Sequence, residues 1–229
     1  MSTAFISPLG SAEAPARGPF ADAAAAAGAV TEVRDGWEVV TSFGDAAAER
    51  AACASSVGFA DFSFLAKLEL QAPAATLESA AGALELGSAE RREGAWLCPV
   101  APELRLELHP PAAAAARREQ LEAAGVRTCD LTASLGAISV CGPRATETIA
   151  RFSAIDTRPK SLPVSGFRPG SIARTPAYLL REDEERFLIL FGAAYGAYFW
   201  ETVATAAAGL GGRPVGLDAL AAPSEVPHA

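Results

Sequence analysis

Hydrophobic and polar residues alternate most clearly over residues 104–109, where leucines are separated by Arg105 and Glu107. A period of two is typical of a β-strand that packs one face on a core and turns the other to water. The apolar residues from Phe187 to Phe191 show no polar alternation, so this strand is predicted to be buried on both faces. Shorter apolar runs predict further strands near residues 36–40, 65–71, 95–100, 137–141 and 171–180.

Helix signals lie between these strands. Asp45 is predicted to cap a helix by accepting backbone hydrogen bonds. Pro73 and Pro110-Pro111 each predict a helix start, because the fixed φ and missing N–H of proline cost nothing in the first turn. A last helix is predicted from about Ala194, and the proline-rich residues 157–170 are predicted to be a loop. Helices interleaved with hairpin-like strand pairs favour an α+β architecture over a parallel βαβ sheet.

Two stretches of the chain repeat one pattern. Asp61-x-Ser63 corresponds to Asp130-x-Thr132, and each is followed by an apolar alternation and then by a proline that opens a helical pattern. The two aspartates lie 69 residues apart, and the two prolines 70. This distance is too long for a solenoid repeat and indicates two related halves.

The chain is therefore predicted to divide into two α+β half-lobes, residues 36–125 and residues 126–220. Residues 1–35 are rich in Ala, Pro and Gly with weak periodicity, and we expect them to wrap a surface or to be poorly structured. Residues 221–229 are expected to form a disordered tail.

The charge balance bears on possible partners. The 229 residues carry 19 basic and 27 acidic side chains, a net charge of −8. Nucleic-acid phosphates are bound by basic surfaces, and the basic pairs 91–92 and 117–118 each adjoin an acid, so we expect no nucleic-acid partner. The apolar residues 21–30 are too short to span a bilayer, so we expect no membrane partner and a cytoplasmic location.

Cysteine and histidine usage restricts the chemistry. The 4 cysteines lack the short spacings of a zinc site or a disulfide scaffold, and they are interpreted as small core residues in a reducing compartment. Of the 2 histidines, only His109 is placed for a Ser-His-Asp or Cys-His set, and a strand-end role is favoured for it. No metal site and no catalytic residue is predicted.

Several short motifs occur in order along nearly the whole chain. They are Ser7-Pro8-Leu9, Gly36-Trp37, Phe43-Gly44, Val57-Gly58-Phe59-Ala60-Asp61-Phe62-Ser63, Lys67-Leu68-Glu69-Leu70, Gly142-Pro143-Arg144-Ala145, Ala173-Arg174-Thr175 and Tyr198-Phe199-Trp200-Glu201. Together they resemble the folate-binding glycine-cleavage aminomethyltransferase superfamily, and within it most closely the gamma-subunit branch of heterotetrameric sarcosine oxidases. The resemblance implies a folate-binding aminomethyltransferase-like fold.

Departures from the family pattern modify that implication. Full-length members are longer and carry a C-terminal barrel domain, which this chain is expected to lack. Their active-site Asn-x-x-Gly-Gly-x-x-Asp-Asp segment, their folate-gripping Thr-Gly-Glu-x-Gly segment and the Lys-Gly-Cys-Tyr-x-Gly-Gln motif of the iron–sulfur branch are all absent as written. If the register is fixed on Trp200, the folate-gripping glutamate falls on Glu184; the alternative is that residues 182–185 form a charged hairpin tip.

The resemblance implies an accessory, gamma-like subunit without catalytic residues, which packs against a larger flavoprotein oxidase subunit or a second copy of itself. The alternatives are a minimal tetrahydrofolate-dependent aminomethyl or methyl transferase and a folate-binding scaffold without turnover. No cofactor is expected to bind tightly, although tetrahydrofolate is possible. Glu184 would then grip the pterin, and Arg174 or Lys67 would meet the glutamate tail. Asp61 and Asp130 are candidates by repeat position, with local backbone capping as the alternative role.

Overall fold

The computed structural model describes residues 14–220, which form three sheets and six α-helices within that range. A three-stranded sheet contains β1 (Ala16–Arg17), β2 (Val30–Arg34) and β3 (Trp37–Ser42). A six-stranded sheet contains β4 (Gly58–Asp61), β10 (Leu135–Cys141), β11 (Phe167–Ile172), β12 (Thr175–Asp183), β13 (Arg186–Gly192) and β14 (Arg213–Pro214). A five-stranded sheet contains β5 (Ala66–Gln71), β6 (Glu90–Arg92), β7 (Ala95–Ala101), β8 (Leu104–His109) and β9 (Arg127–Asp130).

The helices are α1 (Ala21–Ala26), α2 (Ala46–Ser55), α3 (Ala74–Ala81), α4 (Pro111–Ala123), α5 (Ala145–Ala150) and α6 (Gly196–Ala208). The carboxylate of Asp45 accepts from the Ala48 N–H at 2.9 Å, so the predicted N-cap of α2 is confirmed. Pro73 and Pro110 immediately precede α3 and α4, as predicted. The prediction of helices mixed with several sheets is confirmed, and strand pairing is antiparallel except between β1 and β3 and between β14 and β4.

The two large sheets pack face to face, and helices cover their outer faces. Strand order is β11-β12-β13-β10-β4-β14 in the six-stranded sheet and β6-β7-β8-β5-β9 in the five-stranded sheet. Between the sheets lies an apolar layer built around Trp96, Leu108, Phe167 and Leu188. Helices α5 and α6 cover one outer face and α3 and α4 the other. The layers therefore run helix, sheet, sheet, helix.

Each repeated stretch crosses from one large sheet to the other. The first leaves β4 and enters β5, and the second leaves β9 and enters β10. Strand β4 pairs antiparallel with β10, placing Asp61 opposite Ile138, and β5 pairs antiparallel with β9, placing Leu68 opposite Asp130. The two copies of the sequence repeat therefore correspond to two equivalent crossings between the large sheets. Each large sheet takes one strand from the other half, and the division at residues 125/126 stays a prediction.

The N-terminal expectation also needs correction where the structure describes it. Residues 14–35 include β1, α1 and β2, and β1 pairs in parallel with β3. Phe20 is fully buried, with its ring centroid 5.5 Å from that of Phe191 and 5.9 Å from that of Trp200. One aromatic anchor thus holds an alanine-rich segment that has almost no periodicity of its own. Residues 1–13 and the predicted tail lie outside the described residues.

The predicted loop over residues 157–170 is too long. Its last residues belong to β11, which occupies the edge of the six-stranded sheet. Pro169 is tolerated there because an edge strand has one side on which no backbone donor is required. The single strand predicted at residues 171–180 is in fact two, β11 and β12, separated by a turn at Ala173-Arg174.

Glu49 of α2 connects distant parts of the chain. Its side chain is fully buried, and its two oxygens accept from the backbone N–H groups of Phe43 at 2.7 Å and of Gly216 at 2.8 Å.

We predict that Glu49→Ala lowers the free energy of unfolding by about 3 kcal/mol, because two backbone donors lose their acceptor. Urea denaturation measures this loss. The exposed Glu201→Ala on α6 is the matched control and should stay within about 0.5 kcal/mol of the parent protein; equal midpoints for the two variants would contradict the assignment.

Candidate functional site

The two Asp-x-Ser/Thr corners have the same internal geometry. An Asp61 oxygen accepts from the Ser63 N–H at 2.7 Å, and an Asp130 oxygen accepts from the Thr132 N–H at 2.9 Å. This is the local turn in which an aspartate caps the backbone two residues later. At both corners the capping role, rather than a free carboxylate, is what the structure shows.

The corner hydroxyls connect the two halves in equivalent ways. Ser63 Oγ accepts from the Ala137 N–H at 3.1 Å, and Thr132 Oγ1 accepts from the Lys67 N–H at 3.0 Å. The Phe62 N–H donates to the Ala137 carbonyl and the Leu131 N–H to the Lys67 carbonyl, at 2.9 and 2.8 Å. Ala137 and Lys67 therefore occupy corresponding positions. The repeat persists as a reciprocal set of hydrogen bonds at the centre of the molecule.

Lys67 breaks this symmetry, since its counterpart is an alanine. Its side chain is fully buried, and Nζ donates to the carbonyls of Ser63 at 2.8 Å and Leu65 at 2.7 Å. Burial lowers the pKa of Lys67 to about 7, while the charges of Asp61 and Asp130 oppose the shift. Burial also raises the pKa of the Asp61 carboxyl, and its hydrogen bonds from Ser63 oppose that change. Lys67 and Asp61 thus face each other within one corner, and the ammonium group is engaged by the backbone.

Arg174 and Glu184 are not brought together. Arg174 is exposed in the turn before β12, with a φ of +60°. Glu184 is exposed in the turn after β12, where its carbonyl accepts from Arg181 Nη2 at 2.7 Å. Strand β12 has 9 residues, which at about 3.4 Å per residue puts the two turns roughly 30 Å apart. Arg174 and Glu184 therefore do not lie at one site, and Lys67, the alternative to Arg174 for contact with the glutamate tail, stays a prediction. The charged hairpin tip is the arrangement observed for Glu184.

Glu182, two residues earlier, is the carboxylate that points into the protein. Trp96 Nε1 on β7 donates to its Oε1 at 3.0 Å, which links the two large sheets. Its Oε2 is buried and has no hydrogen-bond partner among the described residues, and the same holds for Ser139 Oγ on β10. Burial raises the pKa of Glu182, and the charge of Arg186 and the bond from Trp96 oppose the shift. A β-bulge lies beside it, between Arg181 and Asp183, and the assignment of the folate-gripping glutamate to Glu184 stays a prediction.

A cavity of about 650 Å³ lies on the outer face of the five-stranded sheet, between α3 and α4. Beside it, the fully buried Glu107 accepts from Arg117 Nε and Nη2 at 2.9 and 2.8 Å and lies 2.8 Å from His109 Nε2. Burial opposes ionisation, but the bonds from Arg117 and His109 prevail and lower the pKa of Glu107 to about 2.

The prediction that one face of β8 is exposed to water is wrong. Arg105 and Glu107 are 3% and 0% exposed because α4 covers that face of β8 and supplies Arg117 as the partner of the carboxylate. His109 ends the strand, as expected, and its neighbour is a carboxylate rather than a nucleophile. The alternation of charged and apolar residues along β8 gave no sign of the helix that covers it.

Within residues 14–220, no group of three or more His, Cys, Asp and Glu side chains is arranged to hold a metal ion. No helix in the same range is both long enough and apolar enough to cross a membrane.

Comparison with solved structures identifies the fold. One chain of the heterotetrameric sarcosine oxidase from Corynebacterium sp. U-96, determined in complex with pyrrole 2-carboxylate, matches with a TM-score of 0.64 and 21% identity, over 84% of this chain and 95% of that chain. Aminomethyltransferase T of the glycine cleavage system from Bartonella henselae matches with a TM-score of 0.72 and 16% identity, over 89% of this chain and 60% of that chain. The chain has the aminomethyltransferase T fold.

The resemblance inferred from the sequence motifs is thus confirmed at the level of the fold. The chain spans about 60% of the length of that aminomethyltransferase. No protein-family model and no protein of curated function matches the chain. The gamma-subunit assignment and the accessory role go further than this likeness and are taken up below as proposals.

The lowered pKa of Lys67 predicts a pH dependence of stability. Between about pH 7 and its ordinary value of 10.5, the unfolded chain keeps the lysine proton and the folded chain does not. Stability should therefore rise with pH, by about 2 kcal/mol between pH 7 and pH 9. Lys67→Met should remove this increment.

Urea denaturation of parent and variant at both pH values isolates the lysine, because every other titrating group is common to the two proteins. Parallel pH profiles would instead show that the carbonyls of Ser63 and Leu65 keep Lys67 protonated.

Proposed function

We propose that this chain is a cytoplasmic, non-catalytic accessory subunit of a flavin- and folate-dependent amine-oxidising complex, similar to the gamma subunit of heterotetrameric sarcosine oxidase. The proposal rests on how much of each solved chain is covered by its match to this protein. The match to one chain of that heterotetramer extends over 95% of that chain, whereas the match to the aminomethyltransferase extends over 60%. In size and fold this chain corresponds to a whole subunit of the former and to part of the latter.

The hydrogen bonds that the candidate site residues make within this chain support the same proposal. The Asp61 and Asp130 carboxylates cap their own corners, and Lys67 Nζ donates to two backbone carbonyls. Glu184 and Arg174 lie in separate exposed turns. A transferase requires a carboxylate and a cation that converge on one pterin in a dry slot. The backbone hydrogen bonds of Asp61, Asp130 and Lys67 and the separation of Glu184 from Arg174 therefore support a subunit without a transferase site.

An exposed aromatic pair provides a surface for the partner. Tyr195, Tyr198 and Phe199 lie close together in the sequence around the start of α6 and differ in burial. Phe199 is fully buried with its ring centroid 3.9 Å from that of Phe191, while Tyr195 and Tyr198 are 48% and 45% exposed. Tyrosines are enriched among the residues that dominate binding at protein interfaces. We therefore place the flavoprotein contact at the start of α6.

The Tyr195→Ser/Tyr198→Ser double variant should weaken binding to the flavoprotein partner about 100-fold, because each lost tyrosine costs more than about 1 kcal/mol at an interface centre. The measurement is affinity capture of the tagged chain from its native source, followed by titration of the purified partner. The proposal is supported if the captured complex shows flavin absorbance and if added sarcosine reduces the flavin and bleaches that absorbance.

Leu86→Ser is the matched control, since Leu86 is 55% exposed in the segment between α3 and β6. It should leave the affinity unchanged. Recovery of the chain without any flavoprotein would overturn the proposal, and equal losses in the control and the double variant would overturn the location of the contact.

A second candidate function, folate binding with or without turnover, rests on Glu182. Its buried Oε2 lacks a hydrogen-bond partner among the described residues, and burial raises the pKa of the carboxyl group. A carboxylate in that condition can accept hydrogen bonds from the amino-pyrimidine edge of a pterin. Tetrahydrofolate would then enter the layer between the two large sheets, near Trp96.

If folate binds, Glu182→Gln should weaken it by about ten- to hundredfold, since a hydrogen bond to a charged group contributes about 1.5–3 kcal/mol. Isothermal titration calorimetry with 5-formyltetrahydrofolate measures the change. Glu184→Gln, in the exposed turn of the same hairpin, is the control and should have no effect. A parent protein that releases no binding heat at high micromolar ligand would eliminate this candidate.

A further inference from the structure

Two cysteines that lie far apart in sequence meet in the fold. Cys141 Sγ, at the end of β10, lies 3.4 Å from Cys53 Sγ in α2, and these residues are separated by 88 positions. Cys141 Sγ also lies 3.6 Å from the carbonyl oxygen of Gly58. The spacing of the four cysteines in the sequence gave no indication of this pair.

The two sulfurs differ in accessibility. Cys53 is partly exposed and Cys141 is buried, so a small solute reaches Cys53 first. Cys98 is fully buried, and Cys129 is exposed on β9. The chain therefore contains, alongside the pair, one inaccessible and one accessible reference thiol.

The surroundings favour a thiolate at Cys53. The hydrogen bond from Cys141 lowers the pKa of Cys53, burial opposes this, and the charge of Arg186 adds to the lowering. The contact with Cys53 and burial both raise the pKa of Cys141. A thiolate with a neighbouring thiol is the arrangement of a peroxide-reactive cysteine and its resolving partner.

The local backbone leaves room for the sulfurs. A side chain at Gly58 would lie only 2.6 Å from Cys53 Sγ, so glycine at this position keeps the space around that sulfur open. To form a bond, the sulfurs must close from 3.4 Å to about 2.05 Å. Closing this distance requires the two side chains to move toward each other.

We propose that Cys53 and Cys141 form a redox-active dithiol that hydroperoxides oxidise to an intrachain disulfide. The Cys53 sulfur attacks one oxygen of hydrogen peroxide, the O–O bond breaks, and the thiol proton leaves with the other oxygen as water. Cys53 is then a sulfenic acid. The Cys141 sulfur attacks the Cys53 sulfur, the S–O bond breaks, and the hydroxyl leaves with the Cys141 proton as a second water. Two thiols are oxidised and one peroxide is reduced.

This chemistry is independent of the proposed accessory role, since it needs only this chain and a peroxide. Its structural result is a covalent link between α2, in the first half of the chain, and β10, in the second. A thiol reductant reverses the link by exchange.

The test uses the full-length chain with Cys129→Ser, which prevents disulfides between molecules. After treatment with hydrogen peroxide, denaturation and alkylation, trypsin should yield residues 51–67 disulfide-linked to residues 128–144, and Cys98 alone should be alkylated. Dithiothreitol should separate the peptides. Reaction at Cys53 is expected to be at least about tenfold faster than at the buried Cys98.

Two variants in the same background assign the roles. Cys141→Ala should trap a Cys53 sulfenic acid that dimedone labels, and Cys53→Ala should leave Cys141 unmodified. Circular dichroism confirms that each variant is folded, and the peptide map of the Cys129→Ser protein decides the outcome even if one of them is not. The proposal fails if Cys141 stays alkylatable while Cys53 proceeds to the sulfinic acid. It also fails if neither reacts under conditions that fully oxidise Cys129 in the parent chain.

Discussion

Antiparallel pairing of strands from different halves of the chain is the constraint on which the rest of this structure depends. Pairing of β4 with β10 and of β5 with β9 requires each repeated stretch to pass from one large sheet to the other. At both crossings the chain must turn without leaving buried backbone groups unpaired. The aspartate caps the turn, and the following hydroxyl accepts a hydrogen bond from the opposite half, so the Asp-x-Ser/Thr pattern satisfies backbone groups at both crossings.

Much of the architecture was predictable because local signals agreed with the tertiary structure. The alternation over residues 104–109 coincides with β8, and prolines opened α3 and α4 where expected. The failures came where a single distant contact decided the outcome. Phe20 orders an N-terminal segment that has no periodicity, and Pro169 lies in a strand because that strand is at an edge. Neither property is encoded within a short window of sequence.

The site was less predictable than the fold because it depends on which side chains face each other across layers. Arg174 and Glu184 are neighbours of one strand in sequence, and the length of β12 separates them. Glu182 is linked to the other large sheet by the hydrogen bond from Trp96, which is 86 residues away in sequence. Glu107 seemed to face water until α4 supplied Arg117. Which charged side chains become buried, and which partners they gain, is decided only when the sheets and helices pack together. The repeat could be found in the sequence because each of its copies is a short continuous stretch.

The exchange of strands between the large sheets has a consequence for how the protein is made. When synthesis has reached β8, strand β5 has one neighbour and still lacks β9, and β4 still lacks β10. Both missing strands arrive together, after α4, within residues 127–141. The nascent chain therefore carries two unpaired strand edges until about three-fifths of it has been translated, and sheet edges in that condition are sites of aggregation. This topology therefore delays the pairing of β4 with β10 and of β5 with β9 until strands from the second half of the chain have been made.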